Sequence, residues 1–187
     1  MPADTRDRLI EAAALEFNER GFAGTDTNRI ARRAGFAPQT FYRSFADKTA
    51  VFIAVYCDWE DTERAVLADL LARRASSKRL VEAVVAHHRE HRIFRRSLRQ
   101  LSLDDPDVRR ARAESRQRQL ERIRDWQREA PASSERPAAD LESLAVKLLT
   151  LERLADALAE DEFEDLGFRP RAVENALAEI IDALRNP

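Results

Sequence analysis

One cysteine, Cys57, in 187 residues leaves no partner for an internal disulfide and suits a reducing compartment. Cys57 is expected as a small buried group on a helix; the alternative role is redox sensing. Four glycines and seven prolines are few, and runs of β-branched residues are scarce, which excludes a turn-rich all-β chain and points to long helices. No apolar stretch is long enough to cross a bilayer, and no basic-then-apolar leader precedes the first helical pattern, so the protein is expected in the cytoplasm with no membrane partner. CxxC, HExxH, EF-hand, GxSxG, phosphate-loop and dinucleotide motifs are all missing. No catalytic constellation, metal or cofactor is therefore expected, and the chain is not taken for an enzyme. Repeats and extended low-complexity tracts are missing too.

What is present is 44% hydrophobic residues, ample for a packed core, and 35% charged ones. The expected class is all-α, with about nine helices. The most informative stretch is 25–48, TDTNRIARRAGFAPQTFYRSFADK. Asp26 or Thr27 can cap a helix that runs to Ala34, because a short acceptor side chain satisfies a free backbone N–H. Gly35 stops it, since the residue after a helix commonly needs positive φ. Pro38 restarts the chain at a first helical position, where its fixed φ and missing N–H are harmless. The second helix, 38–45, is too short to stand alone and must be held by packing.

Ile30, Ala31, Ala34, Phe36, Phe41 and Phe45 are spaced to turn to one side of these two helices. Amides, hydroxyls and cations occupy the other: Asn28, Arg29, Arg32, Arg33, Gln39, Thr40, Tyr42, Arg43 and Lys48. Cations and hydroxyls suit phosphates, and an amide such as Gln39 can read an adenine edge with two hydrogen bonds. A solvated polar face on an ordinary helical hairpin would look the same from charge alone. The net charge of −2 is unevenly spread: residues 27–48 carry five Lys/Arg against one acid, and residues 140–187 five against twelve. Screening beyond about 8–10 Å lets local cations act on DNA even in an acidic chain. Residues 73–136 carry 18 Lys/Arg against ten acids, which fits i,i+3 and i,i+4 pairing better than a second nucleic-acid surface.

The run from Arg6 through LIEAAALEFNERGF, then Thr25, IARRAG, TFYRSF and DK, resembles the DNA-binding domain of the tetracycline-repressor (TetR) family over residues 6–56. The matching elements are Phe17, Gly21 and Phe22, Thr25, Ile30–Ala31, Ala34–Gly35, Thr40–Phe41–Tyr42, Phe45 and Lys48. The resemblance implies that Tyr42 and Lys48 hold phosphates while Gln39, Thr40 and Arg43 lie nearest the bases. The full candidate DNA-binding set is Thr27, Asn28, Arg29, Gln39, Thr40, Tyr42, Arg43, Ser44 and Lys48. Three positions depart from the family pattern: Ser44 replaces a common His, Ala37 a frequent capping Ser, and Gln39 a frequently small residue.

Outside the hairpin, helices are expected at 5–20, 47–74, 80–91 and 93–103 (or one bent helix), 108–129, 140–159 and 170–184, with a Pro/Ser/Ala-rich loop at 131–138. The domains are placed at 1–50, helix-turn-helix, and 51–187, ligand binding and dimerisation, with helix 47–74 bridging them as the resemblance implies. Trp59, His87, His91, Phe94, Leu98, Leu120, Ile123, Trp126 and Leu148 are candidate walls of a mostly apolar ligand pocket. His87 and His91 share a helix face at i,i+4, but two nitrogens do not make a metal site. The last two helices are apolar on more than one side, which suggests burial against a second copy through Leu144, Leu151, Leu158, Val173, Leu177, Ile180 and Leu184. The family similarly dimerises through its last two long helices. Together these features predict a homodimeric repressor that binds a palindromic operator in double-stranded DNA and is released by a small hydrophobic or amphipathic effector. The rival is an all-helical carrier or enzyme using the His87/His91 region.

Overall fold

In the computed structural model, residues 4–129 and 140–185 are described, and no strand occurs among them. The loop expected at 131–138 lies outside the described residues. Among the described residues ten α-helices follow one another: α1 Thr5–Arg20, α2 Thr27–Arg33, α3 Pro38–Ser44, α4 Lys48–Ala72, α5 Ser77–Glu90, α6 Arg92–Asp104, α7 Pro106–Glu129, α8 Leu141–Ala159, α9 Glu162–Asp165 and α10 Arg171–Arg185. The helix beyond the expected nine is the single turn α9, in the acidic segment. Asp161, with φ +59°, reverses the chain there, and Arg153 of α8 clamps Glu162 through contacts of 2.6 and 3.1 Å.

The chain divides into two compact units, and the division differs from the expected cut after residue 50. The first unit comprises Met1–Thr62 and His91–Arg112. Asp4 caps α1 through Thr5 N–H, and Gly21, at φ +69°, ends it. Between them Leu9, Ala12, Ala13 and Phe17 form the inward stripe expected from their spacing. Phe17 meets Phe52 of α4 edge-on at 5.1 Å, and Phe52 stacks on Phe94 of α6 at 4.6 Å. Burying each ring stabilises by roughly 1.5–3 kcal/mol, with a further ~0.5–1.5 kcal/mol per ring pair. These rings, with Leu98 beside them, bring α6 into this unit although it lies some forty residues beyond the expected boundary. Ser97 of α6 also accepts a hydrogen bond from Phe22 N–H at 3.0 Å.

On α4, Val51, Phe52, Val55, Tyr56 and Trp59 face this core. Cys57 falls on the opposite side of the helix and is exposed, contrary to the buried position expected for it.

The second unit comprises Glu63–Glu90 and Ala113–Pro187. Its core sits among α5, α8 and α10, where Leu80, Val81, Leu158, Val173, Leu177 and Ile181 are buried together. Asp140 caps α8 through Ser143 N–H at 2.8 Å, and Ser76 accepts from Arg79 N–H at the start of α5. Polar groups also enter this unit. His88 is buried with Nδ1 3.0 Å from Asp156 and Nε2 3.6 Å from Glu63, and Arg116 grips Glu152 at 2.5 and 3.2 Å.

Candidate nucleic-acid interface

The hairpin at 27–44 is built by local signals. Asp26 accepts from Arg29 N–H at 2.8 Å and caps α2; Gly35 adopts φ +78°, where a side chain would be strained; Pro38 opens α3. At the start of α3, Ala37 makes no side-chain cap. Arg8 of α1 closes the far end of α2 by donating to Ala34 O at 2.7 Å, with its guanidinium over the Phe36 ring.

α3 is held by its underside. Phe41 is fully buried and Phe45, just after the helix, nearly so. That leaves Gln39, Tyr42 and Arg43 exposed and Thr40 and Ser44 half-buried. Tyr42 is 59% exposed, an unusual position for an aromatic ring, and its hydroxyl lies 3.0 Å from Thr27 Oγ1. This bond fixes the phenol against the start of α2, where Asn28 is exposed.

The cations of the stretch are less available than their number suggests. Arg33 donates to Glu16 at 2.9 Å and to both oxygens of Glu19 at 2.8 and 2.5 Å. Hydrogen bonding to Glu19, with smaller help from Glu16, pushes the Arg33 pKa up, and the same contact with Arg33 holds Glu19 below its usual carboxylate value. Arg29 lies 3.6 Å from Glu16. Lys48 donates to Phe22 O at 2.8 Å and Thr25 O at 2.9 Å, with its ammonium 4.1 Å from the centroid of the Phe22 ring. Burial pushes the Lys48 pKa down, against the opposing pull of Asp26. The phosphate role implied for Lys48 therefore competes with a structural one. Arg32 and Arg43 are exposed and carry no intramolecular bond among the described residues.

Glu16 is the residue that sequence reasoning missed. Its signal was available: an acid on α1 one position before Phe17, on the stripe that faces inward.

The expected ligand-pocket residues divide between the units. In the first, Phe94 and Leu98 belong to the aromatic core. Trp59 is buried with His91 edge-on at 6.0 Å and the Arg95 guanidinium 4.9 Å from its ring, and His91 Nδ1 is 2.9 Å from Asn18 Nδ2. In the second, Leu148 is buried, His87, Leu120 and Ile123 are half-buried, and Trp126 is 42% exposed. A cavity of about 70 Å3 in the second unit is lined instead by Val85, Arg89, Leu158, Asp161, Phe163, Glu164, Pro170 and Glu174. It is well below the several hundred Å3 of a typical small-molecule site.

Of the seven residues expected at a dimer interface, Leu144, Leu158, Val173 and Leu177 are buried within the chain, because α5, α8 and α10 pack on one another through them or beside them. Leu151, Ile180 and Leu184 remain half-buried. Val146, 66% exposed, and Leu149, 45% exposed, are the apolar residues that α8 leaves open.

Comparison with known proteins agrees with this geometry. The sequence profile of bacterial regulatory proteins of the tetR family matches residues 9–55. The chain is 36% identical over 86 residues to the HTH-type transcriptional regulator YdgC of Bacillus subtilis (strain 168), a stretch covering 43% of this chain and 44% of that protein. The chain thus matches less than half the length of this curated relative. The fold is similar over nearly its whole length to a TetR-family transcriptional regulator from Rhodococcus sp., with a TM-score of 0.73 at 20% identity, covering 97% of this chain and 98% of that one. It is also similar to Thermus thermophilus FadR, a TetR-family repressor solved with lauroyl-CoA, with a TM-score of 0.64 at 20% identity, covering 96% and 92%.

Proposed function

We propose, from the match of residues 9–55 to the profile of tetR-family bacterial regulatory proteins, that this chain is a DNA-binding transcriptional repressor of that family rather than an enzyme. It binds a palindromic operator as a homodimer and is released by a small amphipathic effector. The observation that carries this is α3: two buried rings, Phe41 and Phe45, force Gln39, Tyr42 and Arg43 outward, beside the exposed Arg32 and Asn28 of α2. An amide, a phenol and a guanidinium on a short rigid rod, with the Arg32 guanidinium on the helix beside it, suit the major groove and the phosphates flanking it.

A dimer presents two such rods. To enter successive major grooves they must lie about 34–36 Å apart. Val146 and Leu149, with the half-buried Leu151, Ile180 and Leu184, supply apolar surface on α8 and α10 for the second copy. An effector that binds better to a conformation with another spacing lowers DNA affinity by its differential affinity and no more. The lauroyl-CoA bound to the Thermus relative supports an amphipathic class of effector for this chain as well.

Fluorescence anisotropy on a random duplex, and on a duplex selected from a random pool, at two salt concentrations tests the proposal. A regulator shows a weak, salt-sensitive association with the random duplex and a tighter one, by about 10³-fold or more, with the selected sequence. A helical carrier or enzyme binds neither with salt dependence.

A further inference from the structure

Glu16 on α1 is only 4% exposed, and four groups converge on its carboxylate. Arg33 donates to Oε1 at 2.9 Å, and Thr25 Oγ1, itself buried, donates to Oε2 at 3.3 Å. The Nε atoms of Arg29 and Arg20 lie 3.6 and 3.4 Å from Oε2. Arg33 and Arg29 are one turn apart on α2, the helix that packs between α1 and α3. An isolated carboxylate at this depth would be costly, so a buried acid that gathers guanidiniums holds them firmly in return.

We propose that Glu16 is a positioning residue for DNA binding: it commits Arg29 and Arg33 to α1 and thereby limits the sequence-independent part of the affinity. The inference rests on the DNA-binding function proposed above. Its physical basis is counterion release. Every guanidinium that reaches a phosphate steepens the fall of log K with log salt by about 0.9, whatever the base sequence. A guanidinium engaged by a buried carboxylate adds nothing to that slope. Glu19 reinforces the arrangement on Arg33 through two hydrogen bonds, whereas Arg29 is held by its 3.6 Å ion pair with Glu16, without a hydrogen bond from its Nε. With these two arginines withheld, the exposed cations of the hairpin are Arg32 and Arg43, and the remaining contacts come from Asn28, Gln39 and Tyr42, whose hydrogen bonds depend on geometry.

The test is the salt dependence of full-length protein on a random duplex between 0.05 and 0.3 M salt, concentrations set by about the range over which phosphate contacts are resolved. Glu16→Gln, which keeps the volume and removes the charge, is expected to steepen the slope of the dimer by about 1.8 as Arg29 of each subunit is released; adding Glu19→Gln brings the change to about 3.6 as Arg33 follows. At 0.1 M salt each step tightens random-duplex binding by about 60-fold, the effect of a slope change of about 1.8 over one decade from 1 M. Arg29→Gln in the Glu16→Gln background restores the original slope. If the Glu16 variant does not fold, as judged by circular dichroism, Arg29→Gln/Arg33→Gln in the otherwise native chain replaces it, with an unchanged slope expected. A folded Glu16→Gln protein with an unchanged slope overturns the proposal, as does a double arginine variant whose slope flattens. Failure of the native chain to bind any duplex overturns the DNA-binding function itself, a result distinct from native binding that Glu16 does not govern.

Discussion

Replacing Lys48 with Met separates two roles that this lysine can play. The ammonium donates at 2.8 and 2.9 Å to the carbonyls of Phe22 and Thr25, tying the turn after α1 to the first residue of α4, and it also lies 4.1 Å from the Phe22 ring centroid. Charge-assisted hydrogen bonds contribute about 1.5–3 kcal/mol each, and a partly exposed cation over a ring about 0.5–1 kcal/mol. Lys48 is half-buried, so water reaches the vacated carbonyls and repairs part of the loss. Methionine also keeps most of the apolar stem. The expected destabilisation is therefore about 2–4 kcal/mol rather than the sum of all three contacts. The assay is urea unfolding in a Trp126→Phe background, where Trp59 is the one tryptophan left and reports on the first unit. The same protein is then titrated with a random duplex over a range of salt. The structure predicts a lower midpoint with an unaltered salt slope. Stability within about 0.5 kcal/mol of the parent, with a slope flatter by about 1.8 for the dimer, would make Lys48 a phosphate ligand and refute the structural role.

Three other substitutions address separate links between sequence and function. Gln39→Ala is expected to cost about 1–3 kcal/mol of operator affinity and to relax preference at one base pair, measured across a panel of operator mutants; an equal loss on every sequence removes the base-reading role. Ala37 has the extended backbone of an N-cap but no acceptor side chain, so Ala37→Ser is expected to stabilise α3 by about 0.5–2 kcal/mol in thermal unfolding, without altering DNA contacts. The hydrogen bonds from Ser143 hold Asp140 below its usual pKa of 3.8, so this cap's contribution is present above that value and is lost as pH falls through the lower folded-state one. Asp140→Asn is expected to make unfolding less sensitive to acid in that window, as followed by circular dichroism.

Elements fixed by short-range chemistry were legible in the sequence. Asp26, Gly35, Pro38 and the spacing of Phe41 and Phe45 each act on neighbours within a few residues, and the hairpin follows from them. α1 was also legible to the residue, because an acidic cap and a terminal glycine bracket one unbroken stripe. What depends on distant partners was not legible. Phe94 has no local feature to say that it will stack on Phe52 rather than line a pocket, and its choice moves α6 into the first unit. Leu158, Val173 and Leu177 look alike whether they face a second chain or their own, and here α5 covers them. Lys48 is the same problem in a charged residue: the carbonyls it finds lie 23 and 26 positions earlier in the chain.

This last difficulty bears directly on how tightly the protein should hold DNA. Residues 27–48 contain five Lys/Arg, so a dimer built on the sequence count would offer ten cations and a salt slope near −9 for this segment, at about 0.9 per contact. The folded chain engages Arg29 and Arg33 with acids of α1 and Lys48 with two carbonyls, leaving Arg32 and Arg43. Two cations per subunit give four per dimer and a slope of about −3.6. Those values differ by more than five in log K per decade of salt, far beyond the error of an anisotropy titration. A slope near −9 would mean that the three engaged cations leave their partners on meeting DNA. A slope near −4 would mean that pairing within the head, rather than its formal charge, sets its attraction for phosphate. In that case most discrimination between sequences rests on the hydrogen-bonding groups that α3 holds out to the groove.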